Sequence, residues 1–330
     1  MNEGVFSSIG NTPMVRLSQF LPEVPFNLYA KMEMLNPGGS TKDRPALNII
    51  RQGISSGKIG PDTVIVESSS GNMGIGLAQI CSYSGLRFIC VVDPKTTQQN
   101  INILRAYGAE IVRVTEPDPT TKDFLQARIN RVRELLESTP DSFWPNQYAN
   151  ENNSIAHKQT MGEIAKALDG KVDYLFCATS TCGTLRGCAE YVRDNELNTK
   201  IVAVDAVGSV IFGGPRAKRL IPGHGAAVIP QLFQSDLASR CVHVTDLDCV
   251  VGCRRLVRSE AILAGGSSGA VMMAVNYFKD EIPSNANCVA LLADRGERYL
   301  DTIYSDAWVE ANLGDVSHHW EEPVATPVYA

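Results

Sequence analysis

Blocks of apolar residues alternate with blocks of helical spacing along the chain from residue 64 onward. The apolar blocks are short and continuous, as expected of strands that are buried on both faces. Two helical blocks are followed directly by Gly85 and Gly108, and glycine is a common residue just beyond a helix. In this half of the chain the pattern predicts strands at 64–67, 87–92 and 110–114 and helices at 74–84, 98–107 and 121–137.

The same alternation continues after a proline-containing segment, residues 139–145. Helices that alternate with buried strands are typical of parallel sheets covered on both faces. We therefore predict an α/β fold with two lobes, each a mostly parallel sheet flanked by helices, and a cleft between them. The residues after Gly314 lack periodicity, and we expect 314–330 to form a flexible tail. In the second half the pattern predicts strands at 173–178, 201–206, 241–244 and 288–293 and helices at 250–263 and 269–278.

Composition and charge exclude several classes of protein. The chain has 330 residues, 44% hydrophobic and 20% charged, which excludes a disordered chain and a coiled coil. The net charge is −6 without a long run of Lys or Arg, so we expect no nucleic-acid partner and no membrane partner. No apolar stretch approaches the ~18 residues of a membrane span, and no charged, apolar leader is visible. We therefore expect a cytoplasmic protein.

Nine cysteines are scattered mostly within apolar runs, and no C-x-x-C pair occurs. An odd number without such spacing favours reduced thiols in the core over a disulfide framework or a zinc site. Five histidines, including His318 and His319 in the tail, do not add a ligand cluster. We expect no bound metal.

Four stretches rich in Gly, Ser and Thr lie where a predicted strand ends or a loop turns. Ligands of open α/β sheets bind at the carboxyl ends of strands, so several converging stretches indicate a small anionic ligand. None of them matches the phosphate-binding pattern G-x-x-x-x-G-K-[ST] or follows a strand with G-x-G-x-x-G. The stretches are 37–45 (PGGSTKDRP), 67–76 (ESSSGNMGIG), 179–184 (TSTCGT) and 265–270 (GGSSGA).

Each stretch has a chemical and a purely structural interpretation. Lys42, held among glycines, is suited to a Schiff base, although a lone lysine is usually an ordinary exposed one. Ser69, Ser70 and Gly71 could bind a carboxylate or a phosphate at a helix N-terminus, or could cap the helix. The third stretch, 180–184, has hydroxyls and amides suited to surround a phosphate.

Two serines and a cysteine need separate interpretation. Ser267 and Ser268 begin a predicted helix and, in isolation, are unremarkable caps. Cys182 lies at a helix N-terminus, where we expect a lowered pKa. Because the sequence offers no paired base, we interpret Cys182 as a loop residue rather than a nucleophile.

Taken together and in order, the motifs resemble the fold type II pyridoxal-phosphate enzymes, specifically the cysteine synthase family. The resemblance covers nearly the whole chain, and it implies a smaller lobe over 41–152 and a larger lobe formed by 1–40 and 153–330. The motifs that carry it are IGNTPMVRL (9–17), the Lys42 loop, SSGN with Gly74, HKQTMGEI (157–164), the loop at 179–184, GGSSGA and RGERYL (295–300).

The resemblance implies pyridoxal 5'-phosphate as cofactor, small-molecule amino-acid substrates, a homodimer and β-replacement through an aminoacrylate. Lys42 is implied to carry the cofactor as an internal aldimine and then to act as the base for the α-proton. The implied contacts are Asn72 to the phenolic oxygen, Ser180, Thr181, Cys182, Gly183 and Thr184 to the phosphate, Ser267 to the pyridine nitrogen, and Ser69, Ser70 and Gly71 to the substrate carboxylate.

Departures from the usual family pattern point to one branch. The phosphate loop reads STCGT instead of GTGGT, and Asp294 and Arg295 replace the usual serine pair before GERYL. The chain is more similar to a branch found with siderophore and antibiotic genes, which joins O-phospho-L-serine to L-glutamate on the way to 2,3-diaminopropionate. A cysteine synthase using O-acetylserine or O-phosphoserine and sulfide is the alternative. A third possible function is that of a binding or regulatory protein without turnover, but the intact Lys42 argues against it.

Two anionic substrates require cations in the cleft despite the net negative charge. The candidates are Arg44, Arg128, Arg216 and Arg219, each of which could equally be a surface or structural arginine. By resemblance to the same branch, Arg128 and Tyr148 are the preferred residues for the second substrate. The alternative for Tyr148 is an aromatic side chain that fills the core.

Overall fold

Ten strands form two separate sheets in the computed structural model, which describes residues 4–321. Six belong to the larger sheet and four to the smaller one. In chain order they are β1 (Met14–Leu17), β2 (Asn27–Met32), β3 (Val64–Ser68), β4 (Phe88–Val92), β5 (Glu110–Arg113), β6 (Ser142–Phe143), β7 (Tyr174–Ala178), β8 (Lys200–Ala206), β9 (Arg240–Val244) and β10 (Asn287–Leu292).

Helices fill most of the segments between the strands and cover both sheets. They are α1 (Asp43–Ser55), α2 (Asn72–Ser84), α3 (Gln98–Ala106), α4 (Phe124–Ser138), α5 (Glu151–Ala167), α6 (Gly183–Asp194), α7 (Asp246–Glu260), α8 (Gly266–Phe278), α9 (Asp306–Leu313) and α10 (His318–Glu321). None of these helices is long and apolar enough to cross a membrane.

The larger sheet has the order β1-β2-β10-β7-β8-β9, and only β1 pairs in the antiparallel direction. The smaller sheet, β5-β4-β3-β6, is parallel throughout. The predicted α/β fold with mostly parallel sheets flanked by helices is confirmed. All strands of the smaller sheet lie within 41–152 and those of the larger sheet lie outside it, while the lobe boundaries stay a prediction.

The largest core packs α7 and α8 on one face of the larger sheet. Helix α8 is buried along nearly its whole length, which explains its apolar sequence. It meets α7 at two glycines, because a Cβ on Gly252 would lie 2.1 Å from the Gly269 carbonyl oxygen. This close contact fixes the first turn of α8 against α7.

Most predicted elements agree with the structure within a few residues. Gly85 and Gly108 adopt φ angles of 70° and 84°, the left-handed conformation expected just beyond a helix. The helix predicted from residue 121 begins at Phe124, because the Asp123 side chain accepts the Leu125 N–H at 2.6 Å and caps it.

Helices α1 and α5 were not predicted as elements. Helix α5 buries polar residues, including Asn153 and His157, so its sequence lacks an apolar stripe. The expectation of a flexible tail over 314–330 differs from the structure at 318–321, which form α10. There Trp320 is buried and lies under the Arg254 guanidinium at 4.7 Å, while 322–330 lie outside the described residues.

Candidate active site

Lys42 lies directly before α1, in a loop that pairs with the end of β10. The Thr41 N–H donates to the Ala293 carbonyl at 2.8 Å, which fixes the loop beside Asp294. Burial lowers the pKa of Lys42 to about 8, although nearby Asp294 opposes the change. The amine is therefore partly neutral close to physiological pH, as a nucleophilic lysine requires.

Helix α2 packs directly on the backbone of Lys42. A Cβ at Gly76 would lie 3.1 Å from both the Lys42 carbonyl oxygen and the Ala46 Cβ. This contact between α1 and α2 depends on a small residue at position 76. It brings the stretch 69–72, at the start of α2, beside the lysine.

A buried cluster of four charged side chains holds α1 in place. Arg44 bonds Glu33 and Glu163 at 2.7 Å each, and Lys31 bonds Glu163 at 2.6 Å. The hypothesis that Arg44 is a free cation in the cleft is therefore wrong. Its charge is already matched by two carboxylates, and its role here is to anchor the helix that follows Lys42.

The stretch 69–72 connects β3 to α2. The Ser69 hydroxyl accepts the backbone N–H of Gly74 at 2.8 Å, so this serine caps the helix. Ser70 and Gly71 are partly exposed at the helix N-terminus. Asn72 donates its Nδ2 to Asp294 Oδ2 at 2.8 Å, and its Oδ1 accepts from Arg298.

Asp294 connects the elements around the lysine, although it was not among the predicted site residues. It is buried, and its Oδ2 accepts from Asn72 and from the Tyr299 hydroxyl at 2.6 Å. Burial raises the pKa of its carboxyl group, while those two hydrogen bonds and the charges of Arg298 and Lys42 oppose the change. Among the described residues, Asp294 Oδ1 has no hydrogen-bond partner.

The loop 180–184 follows β7 and runs into the first two residues of α6, as predicted. Thr181 Oγ1 accepts from the Gly183 N–H at 3.3 Å and from Asn153 Nδ2 at 3.2 Å. Thr184 Oγ1 contacts His157 Nε2 at 3.3 Å. The loop therefore ends at the N-terminus of a twelve-residue helix, where backbone N–H groups favour a bound anion.

The expected low pKa of Cys182 is wrong. Burial raises the pKa of its thiol to about 12, and nearby Asp205 adds to the increase. Its φ of 63° places it in the left-handed conformation at the start of α6. Cys182 is therefore an un-ionised loop residue, and all nine cysteines of the chain are free.

Ser267 lies in the first turn of α8 and is partly exposed, whereas its neighbour Ser268 is buried. Ser268 Oγ accepts the Ala293 N–H at 3.0 Å, and the Gly265 N–H donates to the Asp294 carbonyl at 2.9 Å. These bonds place the Ser267 turn at the same end of β10 as the Lys42 loop.

Arg128 and Tyr148 lie near each other at the smaller sheet. Arg128 is 9% exposed, and its Nε forms an ion pair with Asp93 Oδ2 at 3.2 Å. Burial raises the pKa of Tyr148, while the charges of Arg128 and Arg219 oppose the increase and that of Glu67 adds to it. This region thus combines two arginines, a phenol and a buried carboxyl group.

The other two candidate arginines differ in their surroundings. Arg216 is more than half exposed and bonds Asp123 at 2.6 Å. Arg219 is partly buried, donates to the His224 carbonyl at 2.7 Å, and contributes to the electrostatic surroundings of Tyr148. Arg219 is therefore placed near the Arg128 and Tyr148 region, whereas Arg216 lies at the surface.

Comparison with known proteins agrees with this arrangement. A sequence profile described as pyridoxal-phosphate dependent enzyme matches residues 5–294. The chain belongs to the pyridoxal-phosphate dependent enzymes. This pyridoxal-phosphate dependent enzyme is 47% identical over 308 residues to N-(2-amino-2-carboxyethyl)-L-glutamate synthase of Ralstonia nicotianae. The aligned residues cover 93% of this chain and 91% of that protein.

Two solved structures of similar proteins match the enzyme over almost its full length. Cysteine synthase of Entamoeba histolytica is 30% identical with a TM-score of 0.86, covering 92% of this chain and 91% of that one. The O-acetylserine dependent cystathionine beta-synthase of Helicobacter pylori is also 30% identical, with a TM-score of 0.85 and coverage of 92% and 99%. The resemblance to the cysteine synthase family is confirmed.

The residues of this pyridoxal-phosphate dependent enzyme fit its cofactor. Attachment needs an amine that is neutral near physiological pH, and Lys42 has a pKa of about 8. The phosphate needs an anion site, and the loop 180–184 lies at the N-terminus of α6. Close to the lysine, the buried Asp294 Oδ1 remains without a hydrogen-bond partner among the described residues.

Proposed function

We propose that the enzyme joins O-phospho-L-serine to L-glutamate by β-replacement, giving N-(2-amino-2-carboxyethyl)-L-glutamate and phosphate. The name of the relative from Ralstonia nicotianae supports this product, and with it glutamate as the acceptor. The phosphoserine donor is implied by the sequence resemblance. The observation that carries the proposal is the buried Arg128, which lies beside Tyr148 next to the smaller sheet. Arg128 pairs with one carboxylate, Asp93, whereas Arg44 pairs with two. An amino-acid acceptor with two carboxylates needs such a cation.

The chain supplies separate groups for each part of the cofactor. Lys42 Nζ would attach it, and the backbone N–H groups and hydroxyls of 180–184 would bind its phosphate. Asn72 would bond its phenolic oxygen, and Ser267 would hold its pyridine nitrogen. When bound, pyridoxal phosphate supplies an electron sink for the pair of electrons left at the substrate Cα.

The enzyme's own residues then bind phosphoserine and move its protons. Ser69, Ser70 and Gly71 hold the substrate carboxylate at the N-terminus of α2. Once the substrate amine has displaced it, Lys42 Nζ takes the α-proton, and the Cβ–O bond breaks with its electron pair leaving on phosphate. The glutamate amine forms the new C–N bond at Cβ and loses one proton, which balances the proton taken up by the released phosphate, and Lys42 Nζ returns a proton to Cα.

The acceptor distinguishes this proposal from the cysteine synthase alternative. Arg128 and Tyr148 bind the glutamate carboxylates, and the nearby Arg219 adds positive potential. Sulfide has no carboxylate and gains nothing from Arg128. Replacing Arg128 therefore separates the two functions.

We predict that Arg128→Ala raises the KM for glutamate by about tenfold to a hundredfold, since a hydrogen bond to a charged group is worth roughly 1.5–3 kcal/mol. Arg131→Ala is the matched control, because Arg131 lies on the same helix but is exposed and pairs with Glu134. Initial rates with phosphoserine as donor test both variants. Equal activity of Arg128→Ala and Arg131→Ala with glutamate would contradict the proposed acceptor site.

We also propose that the enzyme is a cytoplasmic homodimer. Each chain forms two lobes, a smaller one over 41–152 and a larger one from 1–40 and 153–330. The adjacent Val228 and Ile229 are 60% and 55% exposed, which supports contact with a second copy. Light scattering of the purified enzyme measures its mass. A mass of one chain at micromolar concentration would contradict the homodimer.

A further inference from the structure

A buried carboxyl group connects the end of β3 to the segment that carries Tyr148. Glu67 is 2% exposed and accepts three hydrogen bonds. Its Oε1 accepts from the Ser68 N–H at 2.7 Å and from Trp144 Nε1 at 3.1 Å, and its Oε2 accepts from the Gln147 N–H at 3.2 Å. Two of the three donors therefore belong to residues 144–147, directly before the tyrosine.

The backbone carbonyl of Gln147 is held by a side chain from α5. Asn153, which is 0% exposed, donates Nδ2 to the Gln147 carbonyl at 2.7 Å and to Thr181 Oγ1 at 3.2 Å. Gln147 is thus bonded at its N–H by Glu67 and at its C=O by Asn153. Through Thr181 the same amide reaches the loop 180–184 of the larger sheet.

The segment 144–150 contains no helix or strand of its own. Its conformation depends on turn hydrogen bonds, on the Asn150 side chain, which donates to the Pro145 carbonyl at 2.9 Å, and on Glu67 and Asn153. Burying a carboxyl group is costly unless it is well bonded, so an apolar residue would serve a merely packed strand better at position 67. The presence of a carboxyl group at position 67 is explained by its hydrogen bonds to the segment directly before Tyr148.

We propose that Glu67 and Asn153 are positioning residues for the acceptor amino acid, because together they fix the peptide of Gln147 and thereby the place of Tyr148. This inference rests on the proposed function, in which Tyr148 binds the acceptor. It assigns no contact between either residue and a substrate. For Glu67 it separates the acceptor step from the first half of the reaction, which depends on Lys42 and the Ser69 stretch. Asn153 also holds Thr181 of the loop 180–184, so the test uses Glu67.

All three hydrogen bonds at Glu67 require the carboxyl group as acceptor. Burial raises the pKa of Glu67 to about 7, while its three hydrogen bonds and Arg128 oppose the increase. The groups that face it are Cys90 from β4, Arg128 from α4 with its partner Asp93, and Tyr148. As the pH falls below about 7, protonation turns one acceptor oxygen into a donor and weakens the hold on Gln147.

The decisive variant is Glu67→Gln, measured in the holoenzyme with phosphoserine and glutamate. One amide N–H then faces a donor, so we expect the KM for glutamate to rise about tenfold at pH 8. Release of phosphate from phosphoserine without acceptor, and kcat at saturating glutamate, should stay within about twofold. Glu110→Gln is the control, because Glu110 lies in the same sheet in an exposed pair with Arg87.

The pH profile supplies a readout that a purely structural role would not give. After correction for protonation of the glutamate amine, the wild-type KM should rise below pH 7, and this rise should be absent in Glu67→Gln. If Glu67→Gln does not fold, Trp144→Phe is the second variant. It keeps an aromatic side chain at position 144 but removes one of the three donors to Glu67. It should raise the KM for glutamate severalfold with phosphate release unchanged.

An unchanged KM for glutamate in the folded variant, or equal losses in KM and phosphate release, overturns the positioning role while the proposed function stands. A wild-type enzyme that releases phosphate but makes no glutamate adduct overturns both.

Discussion

At the scale of single residues, the chemistry depends on how burial sets the protonation of Lys42. Its pKa of about 8 lies well below the usual lysine value near 10.4 because the amine loses solvation inside the protein. The nearby carboxyl group of Asp294 limits the decrease. The neutral amine is therefore available without an adjacent base.

This predicts the pH dependence of cofactor capture by protein from which pyridoxal phosphate has been removed. Because the pKa of Lys42 is lowered, the neutral fraction of its amine rises as the pH increases through about 8. Between pH 7 and 9 the fraction, and with it the rate of covalent capture, should increase about tenfold, whereas an ordinary lysine would give about a hundredfold increase. Stopped-flow absorbance measures the rate, and Lys42→Ala should show no capture and no borohydride trapping.

The predictable part of the site is the part that lies in sequence motifs. Glycine-rich stretches and family motifs predict Lys42, Asn72 and the loop 180–184 as site residues. Asp294 was noted only as a departure from the family pattern. Its hydrogen bond to Asn72 joins residues 222 positions apart, and no local pattern reports such a contact.

At the scale of elements, the position of α1 depends on the buried cluster of Lys31, Glu33, Arg44 and Glu163. Glu163 lies on α5 and bonds both cations, so it links α5 to α1 and β2. Its hydrogen bonds to these cations outweigh burial and lower its pKa to about 2. The cluster thus fixes the helix that begins next to Lys42.

Glu163→Gln should lower the free energy of unfolding by about 3 kcal/mol, the usual cost of removing one partner of a buried ion pair. Glu134→Gln, in an exposed pair, should cost less than about 1 kcal/mol. Urea titrations measure both variants. Because the folded-state pKa is depressed, the contribution of Glu163 is present above about pH 4.5 and disappears toward pH 2, so the variant should lose less stability on acidification.

Elements with a clear apolar pattern were predictable, and those with buried polar residues were not. The strands β3, β4, β7 and β10 read as continuous apolar runs and were found within one or two residues. Helix α5 buries Asn153, His157 and Thr160. Asn153 and His157 contact Thr181 and Thr184 of the loop 180–184, and His157 also contacts Thr160 on the same helix. A pattern of hydrophobic spacing cannot detect a helix whose buried face is polar.

At the scale of the whole molecule, strands from two sheets deliver their loops to one region. The end of β3 leads to the Ser69 stretch, the end of β7 to the loop 180–184, and the end of β10 to Asp294. Hydrogen bonds from Asn72 to Asp294 and from Asn153 to Thr181 and Gln147 join the parts. A net charge of −6 does not oppose anionic ligands here, because helix N-termini and Arg128 act locally.

The most direct test of the whole account is the mass of the product formed from O-phospho-L-serine in a mixture of L-glutamate and sulfide at equal concentration. Mass spectrometry should detect N-(2-amino-2-carboxyethyl)-L-glutamate as the main product, with one phosphate released per adduct. Formation of cysteine without the glutamate adduct would contradict the proposed acceptor and favour the cysteine synthase alternative.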